Sequence, residues 1–295
     1  MVSAFLVCNP LPACFRVACP RVSLRTPLVC SQAGVLGATG GLGSVVVHRL
    51  LDDAGNPTSK ISSVKAFVRD PERAKSSLPC DSSALSLTKL PPVDDVVGLR
   101  EAFRGVSYLV VCVGTTAFPT RAWRNGNTPS AIDDFAVSQW MKALDAQAIR
   151  RIVYVSSIGV LRRLSFPYFI LNAYGVLDAK LKGESHVVEA ARRLSCAYAI
   201  LRPGRLVGAP HTNIGALRKA VNLGELNVRC EKGDCVNGSV SRATTAAITA
   251  ISLVWDTSKN LDICFVNTKG EAPSQERLEE KVRACEVVAT RNVDL

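Results

Sequence analysis

At 295 residues, with 47% hydrophobic and 21% charged residues, the chain can bury a sizeable core and is neither disordered nor fibrous in composition. The formal net charge is +11, but Lys and Arg are dispersed and form no basic face interleaved with aromatics, which argues against nucleic-acid binding. No run approaches the roughly 18 apolar residues of a membrane span; the longest candidate, around Phe166 to Leu177, is broken by Pro167, Asn172 and Gly175.

Residues 1–32 differ from the rest. They carry Arg16, Arg21 and Arg25 with scattered Ser and Thr, and the first carboxylate of the chain is Asp52. An acid-poor, arginine-bearing leader has the composition of an organelle transit peptide. A plastid (chloroplast) address is expected, with the mitochondrion as the alternative, and residues 33–295 are expected to form one domain. Leu28 to Ser31 are left open as the start of its first strand. Eleven cysteines, with Cys112 and Cys264 inside apolar runs, indicate free thiols in a reducing compartment. Cys230 and Cys235 bracket an expected turn, so a reversible disulfide between them is conceivable. His48, His186 and His211 are isolated, and no metal site is expected. The pairs Arg150-Arg151, Arg162-Arg163 and Arg192-Arg193 are expected to be solvated cations at helix ends and loops.

Strands and helices then alternate. Strands are expected at Ala33 to Leu36, Val64 to Val68, Tyr108 to Val113, Arg151 to Val155 and Ala197 to Leu201. Helices are expected at Gly43 to Leu51, Leu99 to Gly105, Ala131 to Gln147 and Lys180 to Arg193. Short apolar strands without polar alternation, separated by helices, predict an α/β fold: a doubly wound parallel sheet, with a small C-terminal substrate-side lobe. The segment Thr115 to Pro129 is long for a βα connection and suits either a lid or an ordered surface loop.

The first strand leads into Gly37-Ala-Thr39-Gly40-Gly41-Leu42-Gly43, and a helix follows at once. Glycines at this spacing allow a sharp turn and close approach of a pyrophosphate, whose charge the N–H groups of the helix start would meet. The context predicts a bound dinucleotide. At the end of the second strand, Arg69 suits a 2′-phosphate, while Asp70 keeps a free ribose possible. NADP is therefore expected, with NAD as the alternative; Arg73 and Lys75 could add charge.

The stretch Val155-Ser156-Ser157-Ile-Gly159 ends the strand expected beside the nicotinamide. Together with Gly37 to Gly43, Val68-Arg-Asp-Pro71, Thr116-Ala-Phe-Pro119, Gly175-Val-Leu-Asp-Ala-Lys180 and Leu201-Arg-Pro-Gly-Arg-Leu206, it resembles the atypical short-chain dehydrogenase/reductases of the NAD(P)H-binding Rossmann type. The likeness extends over most of residues 33 to 270 and is nearest to a plastid branch of plants and algae. It implies an oxidoreductase of a small organic substrate. It also implies cofactor contacts from Cys112, Gly114, Thr115, Ser156, Lys180, Pro203 and Gly204.

Orthodox members of that family pair a serine with Tyr-x-x-x-Lys, the tyrosine donating the proton. Here Lys180 matches the lysine, but the position four before it is Val176. Tyr174 is six before Lys180, an offset of roughly 600° on a helix. Lys180, Ser157 and Tyr174 are the catalytic candidates, Tyr174 only if its backbone is not regular helix. An alternative follows: a catalytically weak or inactive NAD(P)-binding scaffold, assembly factor or redox sensor. An epimerase or dehydratase has only fold analogy behind it. Peripheral association with a membrane or a protein complex stays open.

Overall fold

The computed structural model describes residues 31–145, 148–208 and 226–287. Residues 1–30 of the leader expected at 1–32, and His211, lie outside them, whereas Ser31 and Gln32 of that expected leader open the first strand. The first strand, β1, spans Ser31–Leu36, two residues longer at its start than expected, with Ser31 buried. Beyond it come β2 (Ile61–Val68), β3 (Leu85–Lys89), β4 (Val106–Val111), β5 (Arg151–Val155) and β6 (Ala197–Pro203). The remaining strands are β7 (Arg205–Val207), β8 (Asn227–Lys232), β9 (Ser239–Ser241), β10 (Asn260–Thr268) and β11 (Glu286–Val287). One sheet runs β3-β2-β1-β4-β5-β6-β10, all parallel, with β8 and β11 antiparallel on β10. A separate pair, β7 and β9, is parallel. The strand order turns back on itself between β1 and β4, which is where doubly wound sheets open a crevice at their carboxyl ends.

Two-sided burial explains the unalternating strands. Ala33, Val35, Tyr108, Val110 and Val153 pack on one face with Val46, Val47 and Leu50 of α1 (Gly43–Ala54). Ile248 and Ile251, from the helix Arg242–Val254, complete that layer. On the opposite face Leu36, Leu109, Val111, Ile152 and Tyr154 meet Leu99, Trp140, Met141 and Val187. Those come from Val96–Ala102, Val137–Ala143 and Val176–Leu194. Short helices at Pro71–Ala74 and Tyr168–Leu171, and one at Gln275–Arg283, complete the set described. In chain order the helices are α1 (43–54), α2 (71–74), α3 (96–102), α4 (137–143), α5 (168–171), α6 (176–194), α7 (242–254) and α8 (275–283).

Two expectations are corrected here. The helix expected over Ala131 to Gln147 is a π-helical segment, Ser130–Ala136, running into α4, which stops at Ala143 because Leu144 is extended (ψ 141°). Nor are all the arginine pairs solvated. Arg151 is fully buried in β5 and donates to the carbonyls of Ser252, Asp256 and Lys259, satisfying the end of α7 and the turn after it. Burial lowers its pKa to about 10. Arg162 donates to Asp234 and Asn237.

Candidate active site

The turn after β1 is built on close backbone contacts. Gly37 has φ +78°, and a Cβ there would lie 2.8 Å from the carbonyl oxygen of Cys112, so the turns after β1 and β4 touch. A Cβ at Gly43 would lie 2.1 Å from the Gly37 carbonyl, so only glycine lets α1 begin that close to the strand. The Gly40 N–H donates to the Gly37 carbonyl at 2.9 Å. Thr39 and Gly40 are exposed, Gly41 is half-buried, and Leu42 turns into the core. The first turn of α1 contains no acidic residue and no side-chain cap, so no carboxylate meets its positive dipole end, although the Ser44 N–H donates to the Gly40 carbonyl at 2.9 Å. This cradle fits a pyrophosphate.

At the end of β2, Arg69 and Asp70 are both exposed. Asp70 caps α2, its carboxylate accepting the Arg73 N–H at 3.1 Å. Lys75, one of the basic residues expected to add charge, is instead paired with Glu72 at 2.8 Å. The Arg69 guanidinium has no internal partner among the described residues.

Lys180 sits where β4 ends. Its ammonium pairs with Asp133 at 2.9 Å, donates to the Val113 carbonyl at 3.4 Å, and lies 5.6 Å from the centre of the Tyr154 ring. The Gly114 backbone passes directly over it: a Cβ there would be 3.2 Å from Nζ. Thr115 donates its hydroxyl to the other oxygen of Asp133 at 3.2 Å. Lys180, Gly114 and Thr115, all expected from the sequence, thus meet around a carboxylate that was not. Asp133 is fully buried in the π-helical segment. A buried carboxylate needs a cationic or hydrogen-bonding partner, so an Asp within an apolar helical run was the available signal. The neighbouring Asp134 also addresses α6, through His186 at 2.8 Å and Lys182 at 3.1 Å. Burial works to raise its pKa, but these bonds outweigh it and hold the carboxyl below its ordinary value. Cys112 stands at the same edge, its thiol pushed up to about 12 by burial. A thiol held protonated in this way lines the edge as a small apolar group.

The serines end β5. Ser156 is buried and its hydroxyl has no partner among the described residues, the kind of atom that a bound group would satisfy. Ser157 donates to the Ile158 carbonyl at 3.1 Å. The loop beyond is pinned by Asp234, which accepts the N–H groups of Gly159 and Leu161, each at 2.9 Å. Tyr154, absent from the expected site, has its buried hydroxyl unpartnered, and burial followed by the charge of Asp133 holds its pKa well above the ordinary value.

Tyr174 lies outside α6, which starts at Val176 after a left-handed Gly175. Its backbone is therefore free of the helical constraint, but the ring is 53% exposed and stacks edge-on with Phe118 and Trp123, each at 6.0 Å. Its hydroxyl makes no hydrogen bond to Lys180, Ser156 or Ser157 among the described residues. The long segment between Thr115 and Pro129 is internally tied, Trp123 Nε1 donating to Thr116.

Pro203 and Gly204 serve the sheet in what is visible. The Pro203 carbonyl accepts the Ile158 N–H at 3.0 Å. A Cβ at Gly204 would lie 2.6 Å from the Gly238 carbonyl, so that glycine is required by the approach of the chain before β9. Arg202 is buried in a bidentate pair with Glu184 of α6 and also contacts Asp262 of β10. The disulfide considered between Cys230 and Cys235 is not the arrangement found: Cys235 instead faces Cys264, Sγ to Sγ 3.8 Å. Among the described residues no cluster of metal ligands occurs.

A doubly wound sheet with a glycine turn at its crevice defines a dinucleotide-binding Rossmann protein. The comparisons agree. A family model described as NAD(P)H-binding matches residues 37–253, and the chain belongs to that family. No curated protein matches by sequence. Among solved structures, a Bacillus halodurans protein described as an NAD-dependent epimerase/dehydratase aligns at TM-score 0.60 and 18% identity, over 85% of this chain and 99% of that one. Anaerobillin reductase (ChuY) of Escherichia coli O157:H7 aligns at TM-score 0.56 and 16% identity, over 83% and 100%. A short-chain dehydrogenase/reductase of Veillonella parvula in complex with NADP aligns at TM-score 0.52 and 17% identity, over 83% and 99%. At these identities the structural likeness speaks for the fold.

Proposed function

We propose that the protein is an NADP(H)-dependent oxidoreductase of a small organic substrate, working where β1, β4 and β5 end. The observation that carries this reading is Lys180, held against the β4 edge of the crevice by buried Asp133, whose other carboxylate oxygen accepts from Thr115. The turn at Thr39 to Gly41 binds the pyrophosphate at the start of α1. Lys180 orients the nicotinamide ribose, and Ser156 and Ser157 face the substrate side. The bound nucleotide supplies or accepts a hydride. Preference for the 2′-phosphate is supported by Asp70, whose carboxylate is used as a helix cap, beside an Arg69 free to offer its fork.

A second reading has its own observation. Position 176 is a buried valine and Tyr174 stacks away on Phe118 and Trp123, so no tyrosine hydroxyl hydrogen-bonds Lys180 among the described residues. That favours a scaffold or redox sensor that binds nucleotide without turnover.

A screen of NADPH oxidation with quinones and aldehydes separates the two. The oxidoreductase reading expects turnover that falls at least tenfold in Lys180→Met. Tight NADPH binding without turnover, unchanged by Tyr174→Phe, would establish the scaffold. Arg69→Ala should weaken NADPH by about 1.5–3 kcal/mol, the range for hydrogen bonds to charged groups, and leave NADH unaffected. Equal weakening of both nucleotides would remove Arg69 from the 2′-phosphate site.

A further inference from the structure

Most of the large apolar side chains exposed among the described residues are gathered in one place. Between Leu161 and Tyr174, Leu164 is 81% exposed and Phe166 77%, and Leu161, Phe169, Ile170 and Tyr174 are each close to half exposed. Tyr174 joins this stretch to the tip of the 115–129 loop through Phe118 and Trp123. Large apolar side chains exposed in such number within one stretch mark an interaction site rather than chance exposure.

Its charge says what it meets. Residues 114–132 and 157–177 contain no carboxylate, and they carry Arg121, Arg124, Arg162 and Arg163. Arg163 is paired with Asp178 at 2.7 Å and Arg162 with Asp234 at 2.9 Å, which leaves Arg121 and Arg124 as the free cations of the face. Arg121 and Arg124 are exposed and have no partner among the described residues. A second copy of the chain would set these cations against their own kind, which disfavours a symmetric pair. An apolar face rimmed by cations and by amphipathic Trp and Tyr instead matches an anionic bilayer interface, where apolar tips enter the headgroup boundary and basic side chains meet lipid phosphates. The net charge of +11 adds long-range attraction. Among the described residues no helix is long and apolar enough to cross a membrane, so contact would be by side-chain insertion.

We propose that the face formed by residues 161–174 and the tip of the 115–129 loop docks on anionic lipid surfaces, placing the mouth of the crevice against the membrane. The proposal does not depend on whether the site turns over.

The full chain is sedimented with vesicles of phosphatidylcholine alone and of phosphatidylcholine mixed with phosphatidylglycerol, at low and high salt. The expected result is co-sedimentation with the phosphatidylglycerol vesicles only, weakened by salt. In Leu164→Asp/Phe166→Asp partitioning should fall about tenfold or more, the loss expected from removing two apolar insertions, with NADPH binding unchanged as a check on folding. Wild-type protein remaining in solution at low salt would overturn the proposal. So would a variant that partitions like wild type, since that is bulk charge alone, or a dimer in light scattering that the same substitutions dissociate.

Discussion

Asp133 and Lys180 show how one residue pair ties stability to the site. Both are buried, 2.9 Å apart, and the ammonium lies against the Gly114 backbone and the Val113 carbonyl. Removing one partner leaves an uncompensated buried charge, whereas removing both leaves only a change of shape. Asp133→Asn and Lys180→Met should therefore each lower the denaturant midpoint, and the double variant should recover part of the loss, with a coupling of roughly 0.5–3 kcal/mol. NADPH affinity should not recover in the double variant, because the proposed ribose contact is gone. Additive stability effects would mean that the pair is not coupled. Affinity equal to wild type would mean that Lys180 does not touch the nucleotide. At this scale the sequence disclosed half of the pair. Lys180 stood out because it matches the lysine of the family the chain resembles, while Asp133 was hidden because its partner is 47 residues away in the chain.

The elements explain why. Strands β1, β2, β4, β5 and β6 were legible because burial on both faces writes continuous apolar runs. The turn at Gly37 to Gly43 was legible because its glycines answer to backbone contacts that any side chain would break. Strand β3, half-exposed and ending in lysine, leaves no such trace. Nor does the π-helical segment Ser130–Ala136, in which consecutive carboxylates both address α6. Such segments recur at functional sites. Arg202 marks the other side of α6: its buried bidentate pair with Glu184 joins that helix to β6, and Asp262 extends the pair to β10. Glu184→Ala should destabilise toward the lower end of about 3–5 kcal/mol, the range for breaking a buried pair, because Asp262 and the Gly233 carbonyl still hold the guanidinium. Equilibrium urea unfolding measures this. A loss below about 1 kcal/mol, the scale of an exposed pair, would show that the network is surface-like.

For the whole molecule, the order β3-β2-β1-β4-β5-β6 fixes where chemistry can happen, because the chain reverses between β1 and β4 and opens its carboxyl edge there. The glycine turn, Cys112, Gly114, Lys180 and the two serines all lie along that edge, as the strand ends and the family resemblance together implied. The apolar, cation-rimmed face was not legible, because exposure is a tertiary property: the run from Phe166 reads in sequence like any core segment. The central claim is that the crevice holds a phosphorylated nicotinamide dinucleotide. Titration of the purified chain with NADPH and NADH, followed by nucleotide fluorescence, tests it most directly. The account predicts saturable binding with NADPH the tighter ligand, lost with Gly43→Val, whose side chain would meet the Gly37 carbonyl. Failure of both nucleotides to bind below about millimolar, roughly −4 kcal/mol, would contradict it.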